Sequence, residues 1–215
     1  MTKLIALIVA ALIVPLGILA TATPASAHPH VWVTMKSELV YAPDGSVTGI
    51  RHAWTFDDMF SAYALQGIES KQKGVYTRDE LKSLAEVNVT SLKEYAYFTY
   101  AKANGKKTAL TDPVDYWLDY KDQVLTLNFT LPFKTPVKAH DLQLEIYDPS
   151  YFVDFALADK DPVKLAGAPT GCTLAVAKPK ELTTEDAKKM TEADFVALAN
   201  NYGAQFANRI SVKCP

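Results

Sequence analysis

The residues best equipped for chemistry stand close to the start of the chain, where His28 and His30 flank Pro29. Upstream of them, Met1-Thr-Lys3 supplies a positive charge, Leu4 to Ala20 is uncharged and apolar, and Ala25-Ser-Ala27 has the small-x-small pattern of a cleavage site. These are the marks of a secretory signal peptide over residues 1–27. Cleavage after Ala27 would make His28 the first residue of an exported, periplasmic chain, residues 28–215, read as a single domain. An N-terminal histidine offers two nitrogens together, an α-amine with pKa near ~7.7 and an imidazole, and a divalent metal can displace the protons of both near neutral pH. His30 adds a third nitrogen on the same face of an extended chain. Pro29 carries no amide hydrogen, so a square-planar copper or nickel site built on a deprotonated second-residue amide is excluded. Two imidazoles and one amine suit zinc, nickel, cobalt or copper, and zinc comes first when a carboxylate completes the set.

The source of that carboxylate follows from the strands that must carry the histidines. From His30 to Tyr41 and from Val47 to Phe56, β-branched and aromatic residues alternate with polar ones around Ala42-Pro-Asp-Gly45, which predicts a β-hairpin. Pairing Ala42 with Val47 sets a register in which Asp57 falls opposite Trp32 and Met59 opposite His30. Asp57 and Asp58 are therefore the nearest acidic ligand candidates. The same register puts His52 opposite Ser37, further down the ladder and on the other face. His52 is kept as a metal candidate whose competing reading is a hydrogen-bonded histidine in or beside the core. His140, between Lys138 and Asp141 in a polar loop, reads as exposed.

Beyond the hairpin, Met59, Phe60, Tyr63, Ala64 and Leu65 have amphipathic helical spacing over Asp58 to Ile68. A second helix is predicted from Thr77 to about Lys93, opened by the capping box of Thr77 and Glu80. Tyr95 to Lys102, Val114 to Tyr120, Val124 to Leu131 and Leu142 to Tyr147 read as strands, with Tyr151 to Ala156 and Cys172 to Ala177 less marked. Their connections are too short for helical crossovers, so the sheet is expected to be mostly antiparallel. Met190, Phe195, Leu198 and Phe206 suggest a C-terminal helix from Thr184 to about Asn208. The expected fold class is α+β, a mostly antiparallel sheet with an N-terminal hairpin, two mid-chain helices and a C-terminal helix.

Composition narrows the function classes. With 49% hydrophobic and 21% charged residues the chain is neither fibrous nor disordered. A formal charge of -2 provides no field for a phosphate backbone, which argues against a nucleic-acid partner. Two cysteines, Cys172 and Cys214, are too few for a four-thiolate zinc site or an iron–sulfur cluster. In an oxidising compartment they are expected to form a disulfide. No nucleophile elbow, P-loop, dinucleotide fingerprint or zinc-protease helix occurs, so the expectation is a binding protein and not an enzyme. The stretch Glu69 to Glu80 has the glycine and final glutamate of a calcium loop, but Lys71 and Lys73 stand where oxygen ligands are required, which argues against calcium. Asp148 to Asp154 is a dense aromatic and acidic cluster in which Asp148, before Pro149, is placed to start a turn.

Several longer stretches carry a family resemblance: His28-Pro-His-Val-Trp-Val33, Arg51-His-Ala-Trp-Thr-Phe-Asp-Asp58, Phe60-Ser-Ala-Tyr-Ala-Leu-Gln-Gly67, Asp115-Tyr-Trp-Leu-Asp-Tyr120, Glu145-Ile-Tyr-Asp-Pro-Ser-Tyr-Phe-Val153 and Gly171-Cys-Thr173. Together they resemble the bacterial family catalogued as domain of unknown function 1007. The resemblance implies a periplasmic, substrate-binding component of an ABC-type transport system, of the sort associated with nickel/cobalt-type permeases. It thus implies a transition-metal role, with an inner-membrane permease as partner and membrane contact only through that transporter or an uncleaved anchor. Members resemble one another in a fuller acidic calcium-type loop after the first helix, from which Lys71 and Lys73 depart. The expectation is therefore binding of a transition metal, zinc first, for delivery to or buffering beside a permease. Two alternatives remain at this point: a copper redox protein with an N-terminal histidine brace, and a ligand-free interaction or assembly factor.

Overall fold

The computed structural model describes residues 29–179, 191 and 200–215. The signal segment, His28 and most of the expected C-terminal helix lie outside the described residues.

The hairpin forms as its alternation requires. Strands β1 (Val31–Tyr41) and β2 (Val47–Phe56) pair antiparallel, with Val33 opposite Phe56, Ser37 opposite His52 and Leu39 opposite Ile50. The expected register holds along this ladder, although a bulge at Val40/Tyr41 shifts the pairing nearest the turn by one residue. Every second residue of β1 from Val31 to Tyr41 is buried, the period-two signature of a half-buried strand.

Helix α1 (Asp58–Ala64) follows, then a connecting loop and helix α2 (Lys82–Leu92). The buried Ser61 hydroxyl of α1 accepts the Leu125 amide at 2.9 Å, fastening the helix to the sheet. Thr77 and Glu80 make the reciprocal capping contacts, yet the regular helix begins only at Lys82 because the capped turn precedes it. Among the described residues no helix is long and apolar enough to cross a membrane.

The remaining strands are β3 (Thr99–Ala103), β4 (Lys106–Thr108), β5 (Val114–Lys121), β6 (Val124–Val137), β7 (Asp141–Ile146), β8 (Val153–Leu157), β9 (Val163–Ala166), β10 (Thr173–Ala177) and β11 (Asn208–Lys213). They make two sheets. The larger runs β5-β6-β2-β1-β8, with β9 pairing farther along β1; the smaller runs β10-β11-β7-β3-β4. Strands β8 and β9 both lie parallel to β1, unlike the rest of the ladder. The inner faces meet in one core, where Trp54 lies against Phe129 and Phe155, and Phe155 against Phe98 of the segment entering the small sheet.

This corrects the expected fold class. Among the described residues the protein is mostly β, two sheets with two helices, and its last described element is a strand where the expected helix was drawn to end. Tyr202–Phe206 is a 3-10 turn and Asn208–Lys213 is a central strand of the small sheet. Asn208, Ile210 and Val212 are the buried positions there, so the period changes from helical to alternating at the point where the expected helix was drawn to its end. Gly203 sits where an added Cβ would collide with the Asp148 carbonyl, which locks the turn against the loop before β8. Cys172 and Cys214 form the expected disulfide, 42 residues apart.

Candidate functional site

The site begins where β1 begins. The His30 amide donates to the Phe152 carbonyl at 2.9 Å, and its exposed ring lies 4.8 Å from the Phe152 ring. Two residues on, Trp32 is bracketed by carboxylates from the residue that follows β2 and from β8. On one side Asp57 donates its amide to the Trp32 carbonyl at 2.9 Å and accepts the Trp32 amide on Oδ2 at 2.9 Å. On the other, Asp154 is the direct parallel partner of Trp32, and burial pushes its carboxyl up from the ordinary value. Paired residues of adjacent strands project to one side, so Trp32 and Asp154 share the outer face of the sheet.

Asp57 is held by more than β1. Its Oδ1 accepts the Phe60 amide at 2.7 Å, making it the N-cap of α1. One carboxylate thus joins the last residues of the hairpin to the first turn of the helix, with its orientation fixed before any ligand arrives. Asp58 is exposed and its Oδ1 accepts the Met59 amide at 2.8 Å.

His52 is not brought to this end. It is buried opposite Ser37, seven residues along β1 from His30, roughly 23 Å at the rise of a strand. Its Nδ1 lies 3.0 Å from the Ser37 hydroxyl and its Nε2 3.4 Å from the Thr99 hydroxyl of the facing sheet. Rings of Trp54 and Phe129 flank it, and burial pushes the imidazole down to about 3. Those contacts are of a neutral histidine joining two sheets. His140 is exposed, as read from its loop.

Among the described residues no three histidine, cysteine, aspartate or glutamate side chains converge into a metal-sized group. His28 and the α-amine that cleavage would create stand outside the described residues, so the nitrogen-rich half of the expected ligand set does too.

The loop from Glu69 to Glu80 closes on itself. Glu80 Oε1 accepts the Lys71 amide at 2.8 Å, and Oε2 accepts the Thr77 amide and hydroxyl, each at 2.8 Å. The Thr77 and Lys71 amides hold this carboxyl below its ordinary value. Glutamate at the final loop position therefore serves as the internal clasp of the loop.

Asp154 and Phe152 are the positions the sequence signals least well. They appear there only as members of an acidic, aromatic stretch, and their place beside Trp32 and His30 depends on a parallel pairing between segments far apart in the chain.

Comparison with known proteins adds a family and a distant relative. A family model described as protein of unknown function (DUF1007) matches residues 13–214. An uncharacterized protein of Haemophilus influenzae (strain Rd) is 22% identical over 199 residues, which cover 87% of this chain and 91% of that protein.

Proposed function

The chain belongs to the DUF1007 family of proteins of unknown function, and from that premise and the residues at the start of β1 we propose that it is an exported protein that binds a transition-metal ion as cargo. It holds the ion for delivery to, or buffering beside, an inner-membrane permease, as the periplasmic component of an ABC-type transport system. The observation that carries the reading is the clamped pairing of Asp57 with Trp32, which holds a carboxylate against the β1 residue two positions from His30. His30 supplies an imidazole, and His28 with its freed α-amine supplies the other nitrogens. Nitrogen donors with one carboxylate favour zinc, ahead of nickel, cobalt and copper. Asp154 is a further acidic group that a cation at this end would meet, and a cation would draw its raised carboxyl back toward ionisation.

The test is the intact mass of the exported protein under non-denaturing conditions, with and without zinc, nickel or copper. A chain beginning at His28 that retains one equivalent of zinc, and loses it in His30→Ala, supports the proposal. A chain that begins elsewhere, or begins at His28 and retains none of the three metals, overturns it.

A further inference from the structure

A second cavity, lined by none of the residues at the start of β1, lies on the outer face of the small sheet. It is a groove of about 660 Å³, within the range of small-molecule sites. Its floor is Tyr100 and Lys102 of β3 with Glu145 and Tyr147 at the end of β7; its wall is Lys93, Tyr97 and the segment from Thr108 to Asp112.

Three features set it apart from a plain surface furrow. The first is charge. Both acids in the lining already face a cation: Asp112 lies 2.8 Å from Lys93, and Glu145 lies 3.0 Å from Arg209. Lys102 and Lys107 are direct partners across β3 and β4, and among the described residues no carboxylate lies within ion-pair distance of either. Like charges opposite one another on a ladder are unfavourable, so an anion between them relieves a cost present in the folded protein.

The second is the aromatic surface. Tyr100 and Tyr147 pack with ring centroids 4.8 Å apart, and the Tyr97 hydroxyl donates to Asp112 at 2.9 Å. Burial, then the Asp112 carboxylate, pushes the Tyr97 phenol up to about 12, and burial does the same for Tyr100. Both phenols therefore stay protonated; the Tyr97 O–H is committed to Asp112, which leaves the Tyr100 O–H as the donor for a ligand.

The third is the backbone of the wall. Ala96, Tyr97 and Phe98 are consecutive non-glycine residues in the left-handed region, at φ 51°, 52° and 48°. Such residues usually visit that region singly, because each costs about 1–2 kcal/mol there, and runs of them persist only where surrounding packing enforces them.

We propose that this groove binds a small organic anion carrying a planar aromatic ring, with its carboxylate or sulfonate between Lys102 and Lys107 and its ring against Tyr100 and Tyr147. The site does not depend on the metal reading, and no group at the start of β1 takes part in it.

2-Naphthoate is a suitable probe, titrated calorimetrically into the metal-free exported protein, with 2-naphthol as the neutral isostere and inorganic phosphate as the ring-free anion. The proposal expects one saturable equivalent of naphthoate, at least tenfold weaker binding of naphthol and of phosphate, and at least a tenfold loss in Lys102→Glu/Lys107→Glu. Should that double variant fail to fold, the single changes Lys102→Gln and Lys107→Gln must each weaken naphthoate several-fold with unchanged circular dichroism. No saturable naphthoate binding, equal binding of naphthol, or affinity indifferent to the lysine variants overturns it.

Discussion

The imidazole of His52 reaches the Ser37 hydroxyl on the neighbouring strand and the Thr99 hydroxyl on the opposite sheet, at 3.0 and 3.4 Å. With both ring nitrogens engaged and aromatic rings on its flanks, it joins the two sheets as a neutral group. An ionised imidazole there would lose its hydration, and its partners among the described residues are hydroxyls and aromatic rings that do not compensate the charge.

That burial makes the fold acid-sensitive. Burial holds the folded imidazole at about 3, against about 6.5 for an unfolded histidine. Above the unfolded value both states are neutral and His52 adds no pH dependence. Below it the unfolded chain takes up a proton that the folded chain refuses, so stability falls by up to about 1.4 kcal/mol per pH unit until the folded value is reached. His52→Gln keeps a donor and an acceptor but cannot titrate. It should be less stable than wild type at pH 7 and lose less of its stability between pH 7 and pH 5. Calorimetric melting of both proteins across that range checks this; parallel losses would refute it.

Asp57 and His30 should separate in their effects on stability. Asp57→Ala removes the acceptor for Phe60 at the start of α1 and for Trp32 on β1, and a lost N-cap typically costs about 1 kcal/mol, up to about 2. His30 is exposed, and His30→Ala should shift stability by no more than about 0.5 kcal/mol. Both variants should lose zinc under the proposed function. Denaturant unfolding together with metal content after dialysis distinguishes them, and His30→Ala retaining full zinc would exclude the imidazole as a ligand.

The hairpin was the most legible part of the molecule because its signals are local. Alternation from Val31 to Tyr41 and a proline-containing turn fix both its strands and their register, and that register correctly pairs Ser37 with His52. The approach of Asp57 to Trp32 follows from the same pattern. What escaped reading is non-local or short. β4 has three residues and β9 four, too few for a period to show, and β8 reaches β1 only through a parallel pairing with no turn to announce it. The opposition of Lys102 and Lys107 likewise needs β3 and β4 to be seen as partners. β11 was hidden because Phe206, just before it, extended a helical spacing up to its first residue.

The disulfide closes the chain from β10 to the end of β11. Cys214 is also tied by its amide to the His140 carbonyl at 3.0 Å, so the bridge pins the edge strand β10 near the central strand β7. A loop of this length is worth about 3–4 kcal/mol in the chain-entropy picture. Cys172→Ser/Cys214→Ser should lose that much in denaturant unfolding. The change falls in the small sheet, so amide exchange should accelerate first in β10 and β11 and leave the β1–β2 ladder protected.

The left-handed run gives a test of opposite sign. Ala96 is exposed, and at φ 51° and ψ 33° its Cβ lies in the region where a side chain is disfavoured. Glycine carries no such penalty but adds about 0.5–1 kcal/mol of unfolded-state entropy, so the two effects oppose one another. With strain near the upper end of its range, Ala96→Gly should stabilise the protein by up to about 1 kcal/mol. Ala96→Val, with a branched Cβ in the same conformation, should destabilise it by more than that. Melting temperatures of the two variants should therefore fall on either side of wild type. If Ala96→Gly melts below wild type, the segment does not hold a left-handed turn in solution, and the wall it builds beside Tyr97 loses its structural basis.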